Sequence, residues 1–148
     1  SDDCAAHMRR VVDTMWQHLA PSGVSWLGIY RKVAGADEMV LGPCRDKPAC
    51  SPIGLHGVCG RGWTTRKSVV VADVAVLGKD YIACDPRDRS EVVVPLFDRA
   101  GACWGVLDVD SHEVGCFDAH DAEQLHDLLV QCGLSASPGG ARPAVSVL

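Results

Sequence analysis

Apolar residues recur with the spacing of an amphipathic helix near both ends of the chain. Over residues 3–20 they stand three or four positions apart, and Pro21-Ser22-Gly23 ends the pattern. These apolar residues are Met8, Val11, Val12, Met15, Trp16 and Leu19. A second helix is predicted from Asp118 to Cys132, because Asp118 is a good N-cap and Gly133 suits the position after the C-cap.

Five segments between these helices have the composition and alternation of β-strands. They are Val24–Val33, Glu38–Leu41, Ser68–Ala72, Glu91–Phe97 and Ala102–Val109. Four-residue turns that contain glycine and aspartate join the first two strands and the last two, which predicts two hairpins.

Two long stretches lack periodicity. Residues 42–57 carry three prolines and three glycines, and residues 74–89 are also irregular. Between them, Val58 to Thr65 is compatible with a short helix. From Ser135 onward the composition is that of a flexible tail. The element order predicts an α+β fold: one domain over 1–134, with a central antiparallel sheet, helices on one face and ligand-covering loops on the other, followed by a tail over 135–148.

Composition excludes several classes of protein. The chain has 148 residues, enough for one domain with a real core, and a formal net charge of −5. Its lysines and arginines are scattered, which argues against a nucleic-acid surface. No apolar run approaches the ~20 residues that span a bilayer, and no signal peptide is visible. We therefore expect no membrane partner and a cytoplasmic location.

Eight cysteines are many for this length, yet none forms a CxxC pair, so we expect no metal site. A few reactive thiols among several inert ones are the better interpretation. Cys103, Cys116 and Cys132 are interpreted as structural and Cys4 as incidental. Cys44 is ambiguous, because it lies six residues from Cys50.

Three thiols and three carboxylates lie on turns or strand ends. They are Cys50, Cys59, Cys84, Glu91, Asp108 and Asp110. Taken alone, each has an ordinary explanation: a buried cysteine is usually a small apolar residue, and alternating aspartates usually face solvent. Their grouping predicts thiol redox chemistry on a small ligand that is polar or positively charged.

In order along the chain, nine fragments resemble one known family, the free methionine-(R)-sulfoxide reductases, which are stand-alone GAF domains. The resemblance runs from about Trp26 to Leu129. The fragments are Trp26-Leu-Gly-Ile-Tyr30, Leu41-Gly-Pro43, Ala49-Cys50, Gly57-Val-Cys-Gly60, Val71-Ala-Asp-Val74, Ile82-Ala-Cys-Asp85, Ser90-Glu-Val-Val-Val-Pro95, Gly105-Val-Leu-Asp-Val-Asp-Ser111 and Phe117-Asp118. The chain departs from the family at Cys44, where an aromatic residue is usual, and at Gly78–Tyr81.

The resemblance implies roles for the thiols. Cys84 would be the nucleophile that takes the sulfoxide oxygen and becomes a sulfenic acid. Cys50 would resolve it to a disulfide, with Cys59 as a relay or second resolving thiol, and Cys44 stays open as a further alternative. A thioredoxin-like dithiol would regenerate the thiols, no bound cofactor is needed, and a homodimer is expected because family members are commonly dimers.

The resemblance also implies a binding set for free methionine-(R)-sulfoxide. Its members are Trp26, Tyr30, Ile82, Glu91, Asp108 and Asp110. The carboxylates would bind the substrate ammonium, and close carboxylates cannot all ionise cheaply, so a raised pKa is expected. The two aromatic residues would cradle the S-methyl group. Two rival functions remain open: a GAF module that binds a small ligand without turnover, and a redox sensor that uses Cys50 and Cys84 as a switch.

Overall fold

The computed structural model describes residues 2–81 and 84–148. Three α-helices, three short 3₁₀ helices and seven strands make up the regular structure of these residues. The α-helices are α1 (Asp2–Leu19), α2 (Val58–Thr65) and α3 (Ala119–Gln131). The strands are β1 (Val24–Lys32), β2 (Glu38–Arg45), β3 (Ile53–Gly54), β4 (Ser68–Val71), β5 (Ser90–Phe97), β6 (Cys103–Ser111) and β7 (Val145–Val147). None of the described helices is long and apolar enough to serve as a membrane span.

The seven strands form one mixed sheet in the order β3-β2-β1-β6-β5-β4-β7. Neighbouring strands are antiparallel except β4 and β7, which are parallel. The predicted hairpins β1–β2 and β5–β6 are both present, and β1 pairs with β6 to join them. The predicted α+β architecture with a single central sheet is therefore confirmed.

The sheet buries its main core under α1 and α3. Alternate strand residues point to this face, among them Leu27 and Ile29 of β1 and Leu107 and Val109 of β6, all fully buried. α1 contributes Met8, Val11, Val12 and Met15. The N-cap of α3 is Asp118, as predicted, and its side chain accepts a hydrogen bond from the Asp121 backbone N–H in a capping box.

The opposite face carries a second apolar cluster beneath α2 and the irregular stretches. It includes Trp26, Tyr30, Val93 and Val106. Sequence analysis placed the helices on one face only, whereas α2 packs against β5 and β6 on this second face. Its close approach to the sheet depends on a small residue, because a Cβ on Gly62 would come within 2.7 Å of the Val93 side chain of β5.

β2 is longer than predicted and ends at Arg45, beyond Gly42 and Pro43. A bulge between Gly28 and Tyr30 in the β1–β2 pairing absorbs this irregular stretch, so pairing resumes at Cys44 opposite Gly28. The irregular stretch at 74–89 likewise contains a 3₁₀ helix, Val74–Asp80.

The segment predicted as a flexible tail folds back onto the sheet edge. The Ser68 amide donates to the Ala144 carbonyl at 2.9 Å, and the Leu148 amide donates to Val70 at 2.8 Å. The Arg142 guanidinium pairs with Asp127 of α3 at 2.7 Å. Composition alone favours a loose chain here, but the unpaired backbone groups of β4 supply partners that composition does not reveal.

Candidate active site

The register of β1, β6 and β5 brings three acidic side chains together on the α2 face. Asp110 stands opposite Trp26 on β1 and opposite Glu91 on β5. Asp108 stands two positions along β6, opposite Gly28 and Val93, and points to the same face as Asp110. Directly opposed and diagonal side chains lie within contact on one face of a sheet. Glu91, Asp108 and Asp110 therefore form one group, called here the carboxyl cluster.

The carboxyl cluster is buried. The exposed fractions of Glu91, Asp108 and Asp110 are 6%, 5% and 8%. Burial raises the pKa of all three groups, and mutual repulsion raises the pKa of Asp108 and Asp110 further. Asp108 Oδ1 accepts no hydrogen bond from the described residues. A proton on a neighbouring carboxyl would satisfy it, so the cluster can hold a proton that it could later donate.

Cys59, in the first turn of α2, points toward this cluster. Its thiol sulfur and one oxygen each of Glu91 and Asp108 lie within 4.8 Å of one another. Burial, followed by the charges of Asp108 and Glu91, raises the pKa of Cys59 well above its usual value. Cys59 is thus a neutral thiol at neutral pH, and it is not part of a disulfide.

Cys50 and Cys84, which sequence analysis assigned as resolving thiol and nucleophile, are joined as a disulfide. Their Cα atoms are 5.7 Å apart, although 34 residues separate them along the chain. Both residues are exposed. The pair therefore links the two irregular stretches, 42–57 and 74–89, across the second face of the sheet.

Two aromatic side chains hold the loop that carries Cys50. The Tyr30 hydroxyl donates to the Cys50 carbonyl at 2.8 Å, and the Trp26 indole donates to the Lys47 carbonyl at 2.7 Å. Their ring centroids are 6.2 Å apart. Sequence analysis proposed both residues as an apolar cradle and did not foresee that their polar ends position the Cys50 loop.

A small cavity lies between the carboxyl cluster and the disulfide. Its volume is about 40 Å³, and the residues that line it include Tyr30, Cys59, Tyr81, Cys84, Glu91 and Asp108. A cavity of this size holds one to a few waters, so an amino acid of the size of methionine requires the covering loops to open. Tyr81 was not predicted; burial and the charge of Glu91 raise its pKa far above the usual value.

A second pocket of about 250 Å³ lies on the outer side of Cys84, which also lines the first cavity. Trp26 and Asp110 line this outer pocket and are not among the residues of the inner cavity. Asp88 and His112 also line it, and neither was predicted. Burial and the nearby charge of Asp85 raise the pKa of Asp88 to about 6.

The remaining predicted residues lie elsewhere. Ile82 falls outside the described residues. Cys44 is half-buried at the end of β2, with its sulfur 3.5 Å from the Lys47 carbonyl. Cys103 and Cys116 are partly buried and Cys4 and Cys132 are exposed. The structure thus brings Cys50, Cys59 and Cys84 to one site and leaves Cys103 and Cys132 away from it.

The buried cluster predicts an effect on stability. A carboxyl group whose pKa is raised by folding destabilises the folded state once pH rises above its unfolded pKa, near 4. Asp108→Asn removes one such group with little change of shape. We expect it to raise the melting temperature at pH 8 by about 3 °C or more, and to raise it less at pH 5. Thermal unfolding followed by circular dichroism checks this, and a melting temperature lowered at both pH values would contradict it.

The chain is similar in sequence to known proteins. The family model for the GAF domain matches residues 3–135. The free methionine-R-sulfoxide reductase of Saccharomyces cerevisiae is 36% identical over 107 residues, which cover 71% of this chain and 59% of that protein. The enzyme of the same name from Escherichia coli is 37% identical over 110 residues, 73% of this chain and 64% of that protein. The chain thus spans less than two thirds of the length of these two relatives.

The fold is also similar to that of a solved structure. The free methionine-R-sulfoxide reductase of Neisseria meningitidis, in complex with its substrate, superimposes with a TM-score of 0.79 and 37% identity, covering 86% of this chain and 74% of that one. The resemblance read from the sequence motifs is therefore confirmed. The chain belongs to the GAF domain family and, within it, to the family of the free methionine-R-sulfoxide reductases.

Proposed function

We propose that the protein reduces free methionine-(R)-sulfoxide to methionine, with Cys84 as the nucleophile. The observation that carries the proposal is the position of Cys84. Its side chain forms a disulfide with Cys50 and borders a cavity whose other wall contains Glu91 and Asp108. A redox-active thiol thus faces buried acidic groups across a cavity that could widen to admit a small sulfoxide with an ammonium group. The names of the relatives support the same activity.

The first step transfers one oxygen atom. The Cys84 thiol attacks the sulfoxide sulfur and forms a transient bond between the two sulfurs. That bond and the S–O bond of the substrate then break as the oxygen passes to the Cys84 sulfur, so Cys84 becomes a sulfenic acid and methionine leaves. The developing charge on the oxygen needs a proton, and the carboxyl cluster is a suitable donor because burial raises the pKa of its members and so favours their protonated form. The thiol proton ends on the sulfenic acid, so the cluster recovers its own.

The second step forms the observed bond. The Cys50 thiol displaces water from the Cys84 sulfenic acid and closes the disulfide. Tyr30 and Trp26 hold the loop that carries Cys50, so the resolving thiol is kept near Cys84 before the reaction. Cys59 shares the inner cavity with Cys84, which suits a second resolving role.

The order of events follows from the size of the cavity. In the disulfide form the inner cavity holds about 40 Å³, too little for the substrate. Reduction must therefore precede the next round of substrate binding. Cys50 and Cys84 are both exposed, so an external dithiol such as a thioredoxin-like protein can reach the disulfide and take up its oxidising equivalents.

Substrate selection rests on the carboxyl cluster. Three acidic groups with exposed fractions below one tenth favour a ligand that brings its own positive charge. The ammonium of a free amino acid supplies it, whereas methionine within a peptide carries a neutral amide at that position. The ammonium also offsets the negative field that opposes a Cys84 thiolate, which couples activation to binding.

The test is a consumption assay with purified protein and dithiothreitol. We expect turnover of free methionine-(R)-sulfoxide, with at least about 100-fold lower kcat/KM for the N-acetylated, amide-capped compound, because the cluster would then face an uncharged group. The free S epimer should also react poorly. Methionine release is measured by chromatography.

Two outcomes would contradict the proposal. Equal turnover of the free and capped substrates would remove the role of the carboxyl cluster. No turnover of any sulfoxide, combined with reversible formation of the Cys50–Cys84 disulfide, would favour the redox-sensor alternative.

A further inference from the structure

The turn that follows Cys84 brings two acidic residues against a histidine. His112 Nε2 lies 3.2 Å from Asp85 Oδ2 and 3.8 Å from Asp88 Oδ1. One side-chain oxygen of each aspartate and one ring nitrogen of His112 all lie within 4.8 Å of one another. Asp85 and Asp88 stand on the turn before β5, and His112 directly follows β6, so two separate segments supply this group.

One atom of this group is left without a partner. The Asp88 side chain is only 8% exposed, and its Oδ1 accepts no hydrogen bond from the described residues. A buried acidic oxygen without a donor is costly, because it loses its hydration and receives nothing in return. The same Oδ1 is the atom that points toward His112, so the missing partner would sit between the two side chains.

We infer that Asp85, Asp88 and His112 bind one divalent transition-metal cation, for which Zn²⁺ is the best match. Zinc takes nitrogen and carboxylate ligands, with three protein ligands and an open fourth position in sites that face a pocket. Ligand atoms about 2.0–2.1 Å from a tetrahedral zinc lie roughly 3.3 Å apart. The observed separations of 3.2 and 3.8 Å are close to this value.

The surroundings leave room for such an ion. The His112 side chain is 39% exposed, and all three residues line the outer pocket of about 250 Å³. Arg87 pairs with both oxygens of Asp85, but its own side chain is 59% exposed. It can therefore keep Oδ1 of Asp85 and release Oδ2 to a metal at little cost.

No sequence motif points to this site, because its ligands lack a recognised zinc spacing. Occupancy would tie the turn that begins at Cys84 to the end of β6, two residues beyond Asp110. The inference does not depend on the proposed reductase activity, and its test uses binding alone.

The experiment titrates Zn²⁺ into the protein with the Cys50–Cys84 disulfide formed, using calorimetry on the wild type, His112→Gln, Asp88→Asn and His120→Gln. The last is a matched control, because His120 is exposed beside Asp118 and Asp121, whose carboxyl groups cap α3. The imidazole ¹⁵N resonances of the wild type are followed in parallel, with His112 assigned by its loss in His112→Gln.

We expect one zinc ion whose Kd weakens at least about tenfold in His112→Gln and in Asp88→Asn, but not in His120→Gln. The His112 Nε2 resonance should shift as the ion binds. Equal affinity in all four proteins would assign the zinc to the remaining thiols and overturn the inference. Loss in His112→Gln with full binding in Asp88→Asn, or no binding at about 1 mM Zn²⁺, well above the micromolar range of specific sites, would overturn it as well.

Discussion

Replacing Cys84 by serine should abolish methionine release even when enzyme exceeds substrate, with a loss of at least about 10³-fold in the single-turnover rate. The hydroxyl of serine is a much weaker nucleophile toward sulfur than a thiol, and no other cysteine borders both the inner cavity and the outer pocket among the described residues. Rapid quenching followed by chromatography measures the methionine released per enzyme molecule.

Two further variants distinguish the role of Cys84 from the roles of the other cysteines. With substrate in excess, Cys50→Ser should release about one equivalent of methionine and then turn over only slowly, because the sulfenic acid on Cys84 loses its first resolving partner and depends on Cys59 or Cys44. Cys103→Ser should behave like the wild type, since Cys103 lies on β6 away from both pockets. One full equivalent from Cys84→Ser would instead assign the nucleophile to Cys59.

Asp108→Asn should lower kcat/KM for free methionine-(R)-sulfoxide at least about 100-fold. The amide keeps the shape of the side chain but removes an anionic partner of the ammonium and a group that can pass a proton to the sulfoxide oxygen. Initial rates at several substrate concentrations separate the two roles: loss of ammonium binding raises KM, whereas loss of proton transfer lowers kcat.

Asp37→Asn is the matched control, because Asp37 lies in the β1–β2 turn and carries the same change of charge. It should leave both constants unchanged. Activity of Asp108→Asn within threefold of the wild type would show that Glu91 and Asp110 alone suffice. Since the same variant is expected to be more stable at pH 8, a loss of activity could not be ascribed to unfolding.

The fold could be predicted from the sequence because the patterns that indicate its helices and strands are local. The helical spacing of Met8, Val11 and Met15 and the alternation of Asp108 with Asp110 each need only a few neighbouring residues. The thiol pair was different. Its assignment depended on matching motifs to a family, because two irregular stretches give no spacing from which the contact between Cys50 and Cys84 could be worked out.

Which acidic residues meet in the carboxyl cluster also depends on the register of β5 and β6, which the alternation of polar and apolar residues does not determine. Pairing that began at Phe97 and Cys103 would place Glu91 opposite Val109, but a bulge between Leu96 and Phe97 shifts the register by one. A slip of one residue changes which cross-strand partner a side chain meets. The bulge therefore places Glu91 opposite Asp110, and no rule of alternation predicts where it falls.

The contact between Asp88 and His112 could not be predicted from the sequence for a similar reason. The two residues are 24 positions apart and meet only because β5 and β6 pair up to Ser90 and Ser111. Likewise, the composition of residues 135–148 describes a loose chain, whereas the partner that orders 145–147 is β4, more than 70 positions away.

The fold-back of β7 covers an edge of the sheet that could otherwise pair with another molecule strand to strand. All four residues of β4 are buried, three of them valines, and an uncovered strand of this kind invites pairing with another molecule. With β7 in place, the sheet ends in a three-residue strand on one side and the two-residue β3 on the other. Edges this short offer few free backbone groups to a second chain. Residues 145–147 therefore protect the valine-rich strand β4 from pairing with another molecule.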